Sequence, residues 1–217
     1  MTRAALPKKR GTRRALAHFT REPALPPPGR AGYALSPQPT GSRAVTNAKP
    51  MPQIEQHLLH DDGTIPNNPR LPLILYRAAF PTGDTQHIED LFAANGWSNA
   101  WVNGIYPFHH YHATTHEVLG IAAGGARVQF GGPGGPIIEV SAGDAVMIPA
   151  GVGHCRLSSE DGLVVVGAYP GGADWDLRRA NPADYRSGLP LIAKVADPVS
   201  DPILGADGPA CRAASST

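Results

Sequence analysis

Between residues 97 and 169 the chain breaks into short runs of β-branched and aromatic residues separated by glycine-rich turns. This spacing restricts the fold more than any other feature. The runs cover 101–106, 117–122, 126–130, 137–140, 145–148, 155–157 and 163–169. Many short strands bounded by turn residues argue for an all-β antiparallel sandwich or barrel. One short helix is expected ahead of them. Asp84 can cap it, Ile88, Leu91 and Phe92 fall at i, i+3 and i+4, and Gly96 follows as a left-handed terminator. Further upstream, the turn-forming Asp61-Asp62-Gly63 and Pro66-Asn67-Asn68-Pro69 lead into an apolar run at 73–76 that reads as a buried strand.

A formal charge of +1 over 217 residues conceals a split. Residues 1–50 hold ten Lys/Arg against one acid, Glu22, together with eight prolines, whereas residues 51–217 hold nine Lys/Arg against seventeen acids. The first block shows no strand or helix period. A segment of that composition cannot bury enough apolar surface to offset its chain entropy, so 1–50 is expected to be a disordered basic leader. Such an arm could touch nucleic acid or an acidic surface, and an Arg-rich, acid-poor leader could be a transit peptide. The preferred reading is that Met51 is the real start and the first fifty residues are dispensable or an upstream translation of the gene, with nucleic acid not the expected partner. Residues 51–170 are then expected to form the β-barrel. Residues 171–217, polar and interrupted by prolines, are expected to wrap its outside. No stretch approaches the ~20 consecutive apolar residues of a membrane span. Two cysteines, Cys155 and Cys211, give no disulfide framework, so a reducing, cytoplasmic location is expected.

Five of nine histidines fall in two short segments, His109, His110, His112 and His116, then His154. Alternate residues of a strand share a face, so His110 and His112 point the same way. Glu117 follows five residues later, and the turn Pro149-Ala150-Gly151 can deliver His154 to a neighbouring strand. Three neutral imidazoles and a carboxylate suit one divalent first-row ion: Mn, Fe, Co, Ni, Cu or Zn. The plain alternative is a polar strand edge. A lone His-x-His pair would favour it, but the added glutamate and distant histidine favour the metal.

At these residues the sequence resembles the cupin superfamily. Its first motif, G-x5-H-x-H-x4-E-x6-G, fits Gly104, His110, His112, Glu117 and Gly124. Its second, G-x5-P-x-G-x2-H-x3-N, fits Gly143, Pro149, Gly151 and His154, with Ser158 in place of the asparagine. More loosely, the run from His110 to Gly120, the leader Pro66 to Pro72 and Asp174-Trp175-Asp176 are similar to YjlB-type cupins. The resemblance implies a cupin-type double-stranded β-helix, a jelly-roll barrel of the RmlC-like kind. It also implies a metal held by His110, His112, Glu117 and His154, and a homodimer. The dimer would also cover open sheet edges and the 73–76 strand.

Alternation extends this picture. If Gly124-Gly125 is a two-residue hairpin turn, Ala123 pairs with Ala126, Ile121 with Val128 and Leu119 with Phe130. The metal would then look onto an apolar lining that includes Phe108, with Tyr106 also inward. Past His154, Arg156 and Ser158 would face inward. Arg156 could clamp a carboxylate or phosphate, or else pair with Glu139 or Asp161 at the barrel edge. Cys155 is expected to be buried filler. His109 and His116 are expected to face outward, although His116 could support Glu117. Candidate catalytic residues are thus Arg156, Tyr106 and His116. The favoured function is a small metal-dependent enzyme, of oxygenase, isomerase or decarboxylase type, acting on a small anionic or carbonyl substrate. A non-catalytic metal- or ligand-binding cupin and an interaction protein acting through the basic arm are the alternatives. Fold alone does not choose among them.

Overall fold

The computed structural model of the chain describes residues 51–160 and 162–212. The expectation for 1–50 lies outside the described residues, as does Asp161. In order, the elements are β1 (Gln53–His57), β2 (Leu73–Arg77), α1 (Thr85–Ala94), β3 (Trp97–Asn103), β4 (His110–Tyr111), β5 (Glu117–Ala123) and β6 (Gly125–Phe130). They continue with β7 (Ile137–Ser141), β8 (Ala145–Ile148), β9 (His154–Ser159), β10 (Val164–Pro170), β11 (Arg178–Arg179), α2 (Pro182–Ile192) and α3 (Pro209–Arg212).

The strands form two antiparallel sheets, ordered β1-β2-β8-β5-β10-β3 and β11-β4-β9-β6-β7. Leu73, Leu75, Leu119, Ile121, Val146 and Val165 of the first sheet pack against Ala126, Val128, Phe130 and Val140 of the second. The alternate residues Ile74, Tyr76, Val118, Met147 and Val166 face the other way, into a second core with Ile88 and Phe92 of α1. The four central strands of the six-stranded sheet, β2, β8, β5 and β10, are therefore buried on both faces, which is why they read as unbroken apolar runs. Helix α1 forms as expected, its Asp84 side chain accepting from His87 N and Gly96 taking φ 80°. C-terminal residues close the outer faces. Ile203 and Ala210 join the second core, while Ile192 packs with Ile65, Tyr111 and Ala113. Among the described residues no helix is long and apolar enough to cross a membrane.

The structure corrects the hairpin. β5 pairs with β10 and β8, whereas β6 pairs with β7 and β9, so Ile121 does not face Val128 across a ladder. Gly124 is instead the corner at which the chain leaves one sheet for the other. It takes φ 68°, and a Cβ there would lie 2.9 Å from the Leu163 backbone. The 73–76 strand is not exposed either, because β1 and β8 flank it. That part of the case for a homodimer lapses. Strand β3 starts at Trp97 rather than 101 and ends at Asn103, so Tyr106 and Phe108 lie outside regular strand. Helix α2 was not expected. Asn181-Pro182 reads as a break, yet Asn181 caps the helix through Ala183 N and Asp184 N, and proline suits the first helical position.

Candidate metal centre

β4 and β9 lie side by side with His110 directly opposite His154. His112 follows β4 immediately, and its carbonyl accepts from Gly151 N at 2.8 Å, so the Pro149–Gly151 turn is docked on the histidine segment it serves. Gly151 has φ 89°, and a Cβ would meet Asn67 O at 2.6 Å. One ring nitrogen from each of His110, His112 and His154 falls within 4.8 Å of the others. All three residues are buried, and the triad can hold a metal ion. Glu117 arrives from the opposite sheet at the head of β5. Its Oε2 lies 3.5 Å from His112 Nε2 and 3.4 Å from His154 Nε2.

The ring orientations are set by backbone. His110 Nδ1 contacts Phe108 O at 3.0 Å, and His112 Nδ1 contacts the Asp176 carbonyl. A carbonyl only accepts, so both rings carry their proton on Nδ1 and turn Nε2 inward. Burial lowers the pKa of His110. It drives that of His154 well down, helped by the neighbouring imidazoles. Burial also opposes charge on His112, but the facing Glu117 carboxylate outweighs it and the pKa is raised. On the carboxylate, Oε1 accepts from Tyr169 OH at 3.2 Å, whereas Oε2 is buried without a hydrogen-bond partner. An orphaned carboxylate oxygen is costly to bury. A divalent cation among the imidazole nitrogens would supply its missing partner, so the residues fit a metal.

The centre opens into a cavity of about 270 Å³ walled by Trp101, Tyr106, Tyr169, Trp175, Ile105 and Leu119. Trp101 Nε1 donates to Tyr169 OH at 2.8 Å, and Trp175 stacks on Tyr169 with centroids 6.2 Å apart. Burial raises the Tyr169 pKa, so the phenol stays protonated. Tyr106 is at the wall as expected, 43% exposed. Phe108 is not. It stacks on Tyr106 and lies beneath the Arg179 guanidinium, 3.5 Å from its centroid.

Arg156 is corrected too. It pairs in register with Val128, but its Nε donates to Ile105 O at 2.9 Å and its Nη1 to Ser159 Oγ at 2.8 Å. It borders a neighbouring groove with Asn103 and Glu160 and does not line the metal cavity. Glu139 lies near Arg127 instead. The register shift opposite Arg127 and Val128 ends the alternation at Leu157, and Ser158 is exposed. His116 points away from the metal cavity, but not to solvent. It is 1% exposed, with Nδ1 accepting from Ala150 N and Nε2 donating to Ala196 O. It makes no bond to Glu117. Cys155 is buried, and burial pushes its thiol pKa up. The sequence reading missed Trp101, Tyr169 and Trp175 as walls. Only Asp174-Trp175-Asp176 carried a signal, through resemblance.

Two antiparallel sheets closing over a buried His110–His112–His154 triad define a cupin-type protein. No family model matches the chain. It is 43% identical over 153 residues to the uncharacterised protein YjlB of Bacillus subtilis (strain 168), covering 70% of this chain and 92% of that one. The chain belongs to the YjlB family. Among solved structures it is similar to an acireductone dioxygenase from Bacillus anthracis with a cadmium ion in its active centre. That match has 21% identity over 42% of this chain and 61% of that one, with TM-score 0.32. It is also similar to a cupin-like protein from Thermotoga maritima, with 18% identity over 62% and 82% of the two chains and TM-score 0.28.

Proposed function

We propose that this chain is a metal-dependent enzyme in which His110, His112, His154 and Glu117 hold one divalent first-row ion. The ion would be Mn, Fe, Co, Ni, Cu or Zn, and the walled cavity would receive a small substrate. The observation that carries this is the orphaned Oε2 of Glu117, aimed at the inward Nε2 atoms of His112 and His154. A bound ion would supply Lewis-acid polarisation of a substrate oxygen. Tyr169, fixed between Trp101 and Glu117, would present a neutral hydroxyl beside the ligand set.

The cavity limits the substrate. A 150 Å³ cavity holds benzene, so about 270 Å³ suits one substituted ring or a short chain. No Lys or Arg is among the described residues lining it. A carbonyl substrate fits this wall directly, whereas an anionic group would have only the ion to meet its charge. Oxygenase, isomerase and decarboxylase chemistry each begin from such a complex.

The test is metal per chain by mass spectrometry for wild type, His112→Ala and His154→Ala after exposure to the six ions. Near-stoichiometric wild-type occupancy that falls in both variants supports the reading. An empty wild type, or full occupancy in both variants, overturns it.

A further inference from the structure

The segment between β10 and β11 lies beyond both histidine motifs, yet it touches His112 directly. Asp176 touches the segment that follows His112 in two ways. Its backbone carbonyl accepts from His112 Nδ1. Its Oδ1 accepts from Ala113 N at 2.7 Å, Thr114 N at 3.1 Å and Thr114 Oγ1 at 3.0 Å. Oδ2 is held by Arg178 Nε at 2.6 Å, and Arg178 is itself paired in register with Tyr111 of β4. Next to it, Trp175 sets its ring edge-on to His112, centroids 5.4 Å apart.

We propose that Asp176 is a positioning residue of the metal centre: its carboxylate clamps Ala113 and Thr114 so that its carbonyl fixes the His112 ring with Nε2 turned inward. This deepens the metal-enzyme reading and rests on it for the ion. The physical reason is geometric. A backbone carbonyl can select a tautomer only while its own segment is held. Asp176 supplies that hold through three bonds to the two residues directly after the ligand. Hydrogen bonding of this kind typically carries ~10–100-fold in metal affinity. Asparagine keeps one acceptor oxygen for Ala113 and Thr114 but gives up the one that meets Arg178 Nε, whereas alanine keeps neither, so the two variants should separate.

Two measurements test it, one of them free of metal. In apo protein at pH 9, ¹⁵N–¹H spectra of the histidine rings should show His112 protonated on Nδ1. Asp176→Ala should mix the tautomers and Asp176→Asn should largely restore the wild-type pattern. In Co²⁺ titrations followed by visible absorption, Asp176→Ala should raise Kd ~10–100-fold and change the spectrum. Asp176→Asn should lie between wild type and Asp176→Ala, and Asn181→Ala, which weakens the α2 cap elsewhere, should stay near wild type. Wild-type His112 protonated on Nε2 overturns the proposal whether or not the alanine variant folds. So does Asp176→Ala with unchanged tautomer and Kd. If wild type takes up no Co²⁺ while the tautomer responds to Asp176, the metal reading falls and the positioning role stands.

Discussion

Glu117 and His154 meet from opposite sheets, the free carboxylate oxygen of one lying 3.4 Å from Nε2 of the other. β5, which carries Glu117, bonds only to strands of the six-stranded sheet, and β9 only to strands of the five-stranded sheet. An ion bound between them would tie the two layers together. Binding to the folded state alone at 100 times Kd adds about 2.7 kcal/mol. Urea denaturation with and without the ion should show a gain of that order in wild type and none in His154→Ala. An equal gain in both would place the bound ion elsewhere.

Acid should destabilise the metal-free protein. Burial holds His109, His110, His116 and His154 below the ordinary 6.5, so the unfolded chain takes up protons first as pH falls. The stability they contribute is present above about pH 6.5 and lost as pH falls through their folded values. His112 has the opposite sign. Burial works against its charge, but Glu117 raises its pKa, so its contribution is present below 6.5 and lost as pH rises through the folded value. Four groups against one make the apo protein less stable at pH 5 than at pH 7.5. Denaturant midpoints should show this, with a shallower slope in His154→Ala. A midpoint that rises on acidification would contradict it.

Arg156→Ala should leave metal occupancy intact. Its guanidinium holds the Ile105 carbonyl and Ser159 rather than the cavity. The expected cost is about 1 kcal/mol of stability. Mass spectrometry and denaturant melts on the same sample decide it. Loss of metal with unchanged stability would return Arg156 to the site.

Gly167 makes room for Trp101. A Cβ there would lie 2.2 Å from the indole ring, which in turn donates to Tyr169. Gly167→Ala should cost about 1–3 kcal/mol through overpacking. It should also shift tryptophan fluorescence as the indole leaves its place. A variant with wild-type stability and spectrum would mean the strand relaxes freely at this point.

The clustering of the three histidines was legible because it is local and periodic: His110 and His112 two apart, and His154 behind a proline–glycine turn. The pairing behind it was not. Gly124-Gly125 has the form of a tight hairpin, and only sheet assignment shows it to be a corner. Glu117 therefore reaches the site from the facing layer rather than along its own ladder. The cavity walls were hidden for a different reason. Trp101 and Tyr169 are 68 residues apart, joined by one hydrogen bond that no sequence period announces. Arg156 misled because it keeps register opposite Val128 while its long side chain turns to the Ile105 carbonyl and Ser159, and Ser158 misled because β9 slips at Leu157.

The 64-position separation of His112 and Asp176 also sets an order of events. At 5–20 residues per second, synthesis separates the two by roughly 3–13 s. Throughout that interval the nascent chain already carries His112 but lacks the carbonyl that orients its ring. An ion that met the nascent chain in that interval would find His112 without the partner the folded chain supplies.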